Sequence, residues 1–127
     1  QGIAVKGLIH ITSDGFLNLT RVVAEVGYVI EQLPPIPPIF SLIQELGGVS
    51  TEEMFRVYNM GIGFCIIVPA YEVERVRAIV HNHGKKTYKM GRVTADSKRR
   101  VDVEPHGIIG QGNRFFRKNA EGQKLFT

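Results

Sequence analysis

The spacing of apolar positions changes repeatedly along the chain, and each change marks an element. Gly7-Leu8-Ile9-His10-Ile11-Thr12 reads as a short strand, and Ser13-Asp14-Gly15 as the polar turn that ends it. Phe16, Leu19, Val22, Val23 and Val26 then fall on one helical face. That spacing predicts a helix over residues 16–26, stopped by Gly27, the residue type that most readily takes left-handed backbone. Tyr28-Val29-Ile30 predicts a second strand. The prolines of Leu33-Pro34-Pro35-Ile36-Pro37-Pro38 remove backbone donors and set φ, so this stretch is an extended connector whose isoleucines pack on the domain. Pro38 suits the first helical position of a helix through Leu46, closed by Gly47-Gly48.

Ser50-Thr51-Glu52-Glu53 forms a capping box with Val49 and Met54 at the staple positions, and starts a short helix to about residue 58. Asn59-Met60-Gly61-Ile62-Gly63-Phe64-Cys65-Ile66-Ile67-Val68 is a turn leading into a nearly all-apolar strand. Such a run predicts a strand covered on both faces, and so a sheet centred on Ile62 to Val68. Val73, Val76, Ile79 and Val80 repeat at helical spacing within 71–83, with Glu72 and Glu74 in the first turn and His81 and His83 in the last. Residues 87–93 and 101–104 alternate like strands, Pro105-His106-Gly107 turns the chain, and Ile108-Ile109 pairs back. The element order predicts an α/β (α+β) sandwich, a mixed sheet covered by helices. One domain is expected over 1–112, followed by a flexible basic tail over 113–127.

Composition narrows the class. Of the 127 residues, 43% are apolar and 22% charged, which excludes a disordered chain and allows a core without staples. A single cysteine, Cys65, excludes an internal disulfide framework and fits a reducing compartment, with the cytoplasm as the expected location. No apolar run is long enough to span a bilayer, and the first residues do not form a signal peptide, so no membrane partner is expected. The absence of an initiator methionine reads as a fragment. Charge is uneven: residues 1–84 carry 5 Lys/Arg against 8 Asp/Glu, and residues 85–127 carry 11 against 4. A basic half of this kind suits a phosphorylated ligand or nucleic acid.

Candidate chemistry sits in two loops. Thr12-Ser13-Asp14-Gly15 lies between a strand and a helix start, where unpaired amides and the helix dipole favour a phosphate. Thr12 and Ser13 add hydroxyls, Gly15 lets backbone approach a ligand closely, and Asp14 is suited to a bridging metal ion; a plain helix cap by Ser13 or Asp14 is the competing reading. Asn59 to Gly63 places two glycines before the apolar strand, which points to close approach by a ligand or another backbone. It precedes a strand and lacks a third glycine, so it is not a dinucleotide fingerprint. Cys65, in the middle of an apolar strand with no base beside it, reads as an inert core thiol. The histidines do not form a metal site by spacing, and His10, beside the first loop, reads as a satisfied core or supporting group, with orientation of a ligand through a hydrogen bond as the alternative.

These two loops also carry a resemblance. His10-Ile11-Thr12-Ser13-Asp14-Gly15 with Leu17-Asn18-Leu19-Thr20-Arg21-Val22 resembles a segment of the aminoimidazole ribonucleotide synthetases. Met54-Phe55-Arg56-Val57-Tyr58-Asn59-Met60-Gly61-Ile62-Gly63, Leu33-Pro34 with Pro38-Ile39-Phe40, and Met90-Gly91-Arg92-Val93 resemble further segments of that family, in the same order. Ser13-Asp14 stands where many members have Gly-Gly, and the Ser-rich opening of the family's C-terminal domain is not found in the chain.

The resemblance implies the later part of an AIR synthetase C-terminal domain. It implies ATP-dependent closure of formylglycinamidine ribonucleotide to aminoimidazole ribonucleotide in purine biosynthesis. ATP and Mg2+ would be held mainly by an N-terminal domain that also forms a homodimer, and this chain alone would be inactive. The ligand-facing residues it implies are His10, Thr12, Ser13, Asp14, Gly15, Arg21, Asn59 and Gly61, with no residue assigned as catalytic and no metal ligand. The alternatives are a stand-alone binding module on the same scaffold, taking a nucleotide or, less favoured, nucleic acid, and a fragment of a sibling such as selenophosphate synthetase.

Overall fold

The computed structural model describes residues 2–12 and 14–118. Two sheets carry the strands. β1 (Gly7–His10) pairs antiparallel with β3 (Phe64–Ile67), with Leu8 opposite Ile66 and His10 opposite Phe64. The larger sheet holds β2 (Val26–Ile30), β4 (Gly91–Ala95), β5 (Val101–Val103), β6 (Ile108–Gln111) and β7 (Arg114–Arg117), in the order β4-β2-β5-β6-β7. Only the β2–β5 pair is parallel, so the sheet is mixed. Between β2 and β3 run α1 (Pro38–Gly47) and α2 (Thr51–Val57), and α3 (Val73–Asn82) follows β3. This is the expected α+β architecture of sheets covered by helices. No helix among the described residues is long and apolar enough to cross a membrane.

Local chemistry explains the helix ends. Pro38 occupies the first turn of α1, and the left-handed Gly48 closes it through its N–H to Gln44 and Glu45 oxygens. Ser50 Oγ accepts from the Glu53 amide at 3.2 Å, so the cap of α2 forms as expected, while the Glu53 carboxylate turns to Arg56 Nε at 2.8 Å.

The core gathers on α2. Phe55 is wholly buried and meets Phe16 edge-on at 5.2 Å, Phe115 at 6.3 Å and the His106 ring at 4.9 Å between centroids. Such tilted aromatic pairs add to the stabilisation from burial alone. Val101, Val103 and Ile108 supply the wholly buried strand positions beneath them.

The structure departs from expectation in three places. The helix expected over 16–26 is a 3-10 helix, Gly15–Arg21, and the chain is already extended at Val22 (ψ 147°). Val23 is 90% exposed, so nothing rewards another turn of β-branched residues there, and Gly27 serves as a β2 residue instead of a helix stop. The apolar strand is not the sheet centre. β3 alternates, with Phe64 53% and Ile66 40% exposed on the outward face, while β2 and β5 take the middle of the other sheet. The tail expected from residue 113 begins with a strand: Gln111 faces Arg114 across a two-residue Gly-Asn hairpin, and Phe115 enters the core. Residues 119–127 of that tail lie outside the described residues.

Two outcomes test this packing. Gly15 has φ +52°, and a Cβ there would stand 2.2 Å from the Phe55 carbonyl oxygen and 2.8 Å from that of Tyr58. Gly15→Ala is expected to cost at least about 2 kcal/mol, read as a lower urea midpoint at unchanged slope. Burial holds the His106 imidazole below its ordinary pKa of 6.5. Its contribution is therefore present above that value and is lost as pH falls below it, because only the unfolded chain takes up the proton readily. Denaturation midpoints should drop between about pH 7 and pH 5, and His106→Gln should flatten that drop.

Candidate functional site

β1 delivers its C-terminal end into the first candidate loop. The Ile11 amide donates to the Gly63 carbonyl at 2.9 Å, which carries the β1–β3 pairing one step beyond the strands. The Gly15 amide then donates to the Thr12 carbonyl at 2.9 Å, and Leu17 to that of Asp14 at 3.1 Å, which winds the 3-10 helix. Asn18 is wholly buried below this turn. Its amide donates to the Gly15 carbonyl at 2.7 Å, and its Oδ1 accepts from the Thr12 hydroxyl at 3.4 Å. A buried amide with both ends satisfied ties the loop down. Sequence reasoning missed this positioning role. The signal was a polar residue inside the otherwise apolar Phe16-Leu17-Asn18-Leu19.

Beside this loop lies an open cleft of about 280 Å³ lined by Leu8, Ile9, His10, Thr12, Asn18, Arg21 and Val22. Its polar groups are an imidazole, a hydroxyl and a guanidinium, with the buried Asn18 behind them and apolar walls on the other sides. Arg21 is ion-paired with Asp14, and the two are 62% and 55% exposed. An exposed pair of this kind is held weakly, so an incoming anion competes for Arg21 at small cost.

Of the expected ligand-facing residues, the structure brings His10, Thr12 and Arg21 to one cleft, with Asp14 at its edge. Gly15 makes the close approach expected of it, but to the α2 backbone. Asn59 and Gly61 do not line the cleft. Asn59 Oδ1 accepts from the Gly61 amide at 2.8 Å, and Gly61, at φ +96°, presses on Pro37 so closely that a Cβ would stand 2.6 Å from Pro37 Cδ. Their polar groups hold a turn against the proline-rich connector. Ser13 lies outside the described residues.

Burial pushes the Cys65 thiol up to about 11, so it stays protonated at neutral pH, as a core thiol should. Among the described residues, no three His, Cys, Asp or Glu side chains group closely enough to hold a metal ion. The lining of the cleft holds no carboxylate, and so does not fit Mg2+ by itself.

Comparison with known proteins accounts for the motifs. Residues 2–104 match the family model described as AIR synthase related protein, C-terminal domain. The chain is similar to proteins named phosphoribosylformylglycinamidine cyclo-ligase. One, from Methanococcus maripaludis strain C5, is 47% identical over 72% of this chain and 26% of its own length. That from Methanocaldococcus jannaschii is 44% identical over 87% of this chain and 31% of its own length. That from Thermococcus gammatolerans is 45% identical over 85% of this chain and 30% of its own length. The chain thus spans between a quarter and a third of the relatives it matches. With the family model covering residues 2–104, the chain belongs to the AIR synthase related protein, C-terminal domain family.

Proposed function

We propose that this chain serves as the C-terminal part of a phosphoribosylformylglycinamidine cyclo-ligase, and that the cleft beside β1 receives the phosphorylated ribonucleotide. One observation carries the reading: the motif residues His10, Thr12 and Arg21 line one cleft, in a chain 44% identical over most of its length to a relative named for that reaction. Arg21 leaves Asp14 to meet the substrate phosphate, a stronger charge-assisted partner. Thr12, whose hydroxyl hydrogen is held by Asn18, accepts from a substrate hydroxyl, and His10 donates to a neighbouring oxygen.

The reaction needs activation because an amide oxygen is a poor leaving group. ATP transfers its terminal phosphoryl group to the formyl amide oxygen. The amidine nitrogen then attacks that carbon, the carbon–oxygen bond breaks, and inorganic phosphate departs with the oxygen. Holding the ends of the substrate together supplies much of the acceleration. The same reading assigns ATP, Mg2+ and the homodimer contact to an N-terminal domain. It gives that domain the bare apolar face of the β1–β3 ribbon, Leu8, Phe64 and Ile66, which adjoins the cleft.

Co-expression with the N-terminal part of the Methanocaldococcus jannaschii relative tests the proposal. The chain alone is expected to give no turnover, and the pair to give ATP-dependent formation of aminoimidazole ribonucleotide. Arg21→Ala in the pair should raise KM for the ribonucleotide about tenfold or more, with a smaller change in kcat. Ring closure by the chain alone, or a folded, associated pair that makes selenophosphate instead, overturns the reading.

A further inference from the structure

A second cleft, of about 380 Å³, opens where α3 ends and the chain runs on to β4. It shares no lining residue with the cleft beside β1. Its lining sets one carboxylate, Glu74, among Arg77, His81, Lys85, Lys86, Thr87 and Tyr88. Arg77 is fixed from two sides: Nε donates to Thr87 Oγ1 at 3.3 Å, and Nη1 meets Glu74 at 3.2 Å. Lys85 and Lys86 have no acidic partner among the described residues. Tyr88 leaves 50% of its surface exposed.

The basic half of the chain does not spread its charge evenly. Arg100 pairs with Asp96 at 2.9 Å, Lys118 with Asp102 at 2.8 Å and Arg117 with Glu52 at 2.8 Å. Arg99 donates to the Val23 carbonyl at 2.8 Å, and Arg114 lies over the Phe116 ring at 4.9 Å. Those cations are occupied, while Lys85 and Lys86, like Lys89, Arg92 and Lys98, have no acidic partner among the described residues; of these only Lys85 and Lys86 line the cleft. The end of a helix would ordinarily repel an anion through its bare carbonyls. Here three of the last four are covered: Val80 oxygen accepts from the His83 and Lys85 amides, His81 oxygen from Gly84, and Ile79 oxygen from the His83 ring. The charges that line the cleft are then Arg77, Lys85 and Lys86 against the Glu74 carboxylate, which is paired with Arg77.

We infer that this second cleft is a binding site for a phosphorylated small molecule bearing a planar ring, of the mononucleotide class. Lys85, Lys86 and the braced Arg77 hold the phosphate, and the exposed Tyr88 ring stacks on the planar group. The volume suits one such ligand. A nucleic-acid strand would need a succession of exposed rings along a basic track. The described residues offer little of one, because Phe115 is buried in the core and Phe116 lies beneath Arg114.

The test is an amide-resolved NMR titration of the 15N-labelled chain at low ionic strength with adenosine monophosphate, inorganic phosphate and single-stranded oligonucleotides. Adenosine monophosphate should give saturable shifts at Lys85, Lys86, Thr87 and Tyr88, weakened by added salt, and inorganic phosphate weaker shifts at the same amides. Lys85→Ala with Lys86→Ala should lower affinity for both about tenfold, with the spectrum elsewhere unchanged as the control for folding. Tyr88→Ala should weaken adenosine monophosphate alone. The inference is overturned by no shift at these amides, by shifts confined to residues 8–22, or by affinity that rises with oligonucleotide length above that of the mononucleotide. Shifts at residues 8–22 report on the other cleft, so the two readings fail separately.

Discussion

The arrangement of the candidate cleft depends on one close contact, that of Gly15 against the carbonyls of Phe55 and Tyr58 at the end of α2. No side chain fits between these two stretches of backbone. Their separation therefore fixes where the chain leaves β1 and where the 3-10 helix begins. Phe55 secures the same junction from inside, since its ring touches Phe16 from the 3-10 helix, Phe115 from β7 and His106 from the turn before β6. Helix α2 thus ties the 3-10 helix to β7 of the large sheet. Interiors are close-packed and deform little, so a shift at this junction would move His10, Thr12 and Arg21 together.

Above this rigid base the cleft is only lightly committed. Asn18 fixes Thr12 from below with buried hydrogen bonds, while Arg21 and Asp14 hold each other in solvent. The two layers have different strengths for a physical reason. A buried amide has no water to fall back on, whereas an exposed ion pair trades partners readily. A guanidinium on a firm floor, with a displaceable carboxylate as its partner, suits a ligand that arrives as an anion. The apolar outward face of the β1–β3 ribbon beside this cleft gives the same region a second character, that of a surface open to packing.

The sequence by itself determined much of the local structure. Pro38 and Gly48 bound α1, Ser50 caps α2, and the repeat of Val73, Val76, Ile79 and Val80 places α3, because caps and helical periodicity act over a few residues. The motif around His10, Thr12 and Arg21 was legible too, since one strand and one turn hold it. The Gly112-Asn113 hairpin carried an equally local signal, but the basic character of its surroundings pointed to a tail.

Tertiary structure alone decided the rest. An apolar run states that a strand can be buried, not which partners arrive to bury it, so β3 stands in a two-stranded ribbon with Phe64 and Ile66 in the open. Helical spacing over 16–26 was overruled because no neighbour covers Val23, and the gain from pairing β2 with β4 and β5 exceeded that of another turn. The glycines are the clearest case. Spacing marked Gly15 and Gly61 as places of close approach, but only the packed chain shows that what approaches is the backbone of α2 and the ring of Pro37. A sequence records the room that a residue leaves, while the occupant of that room is set by contacts far apart along the chain.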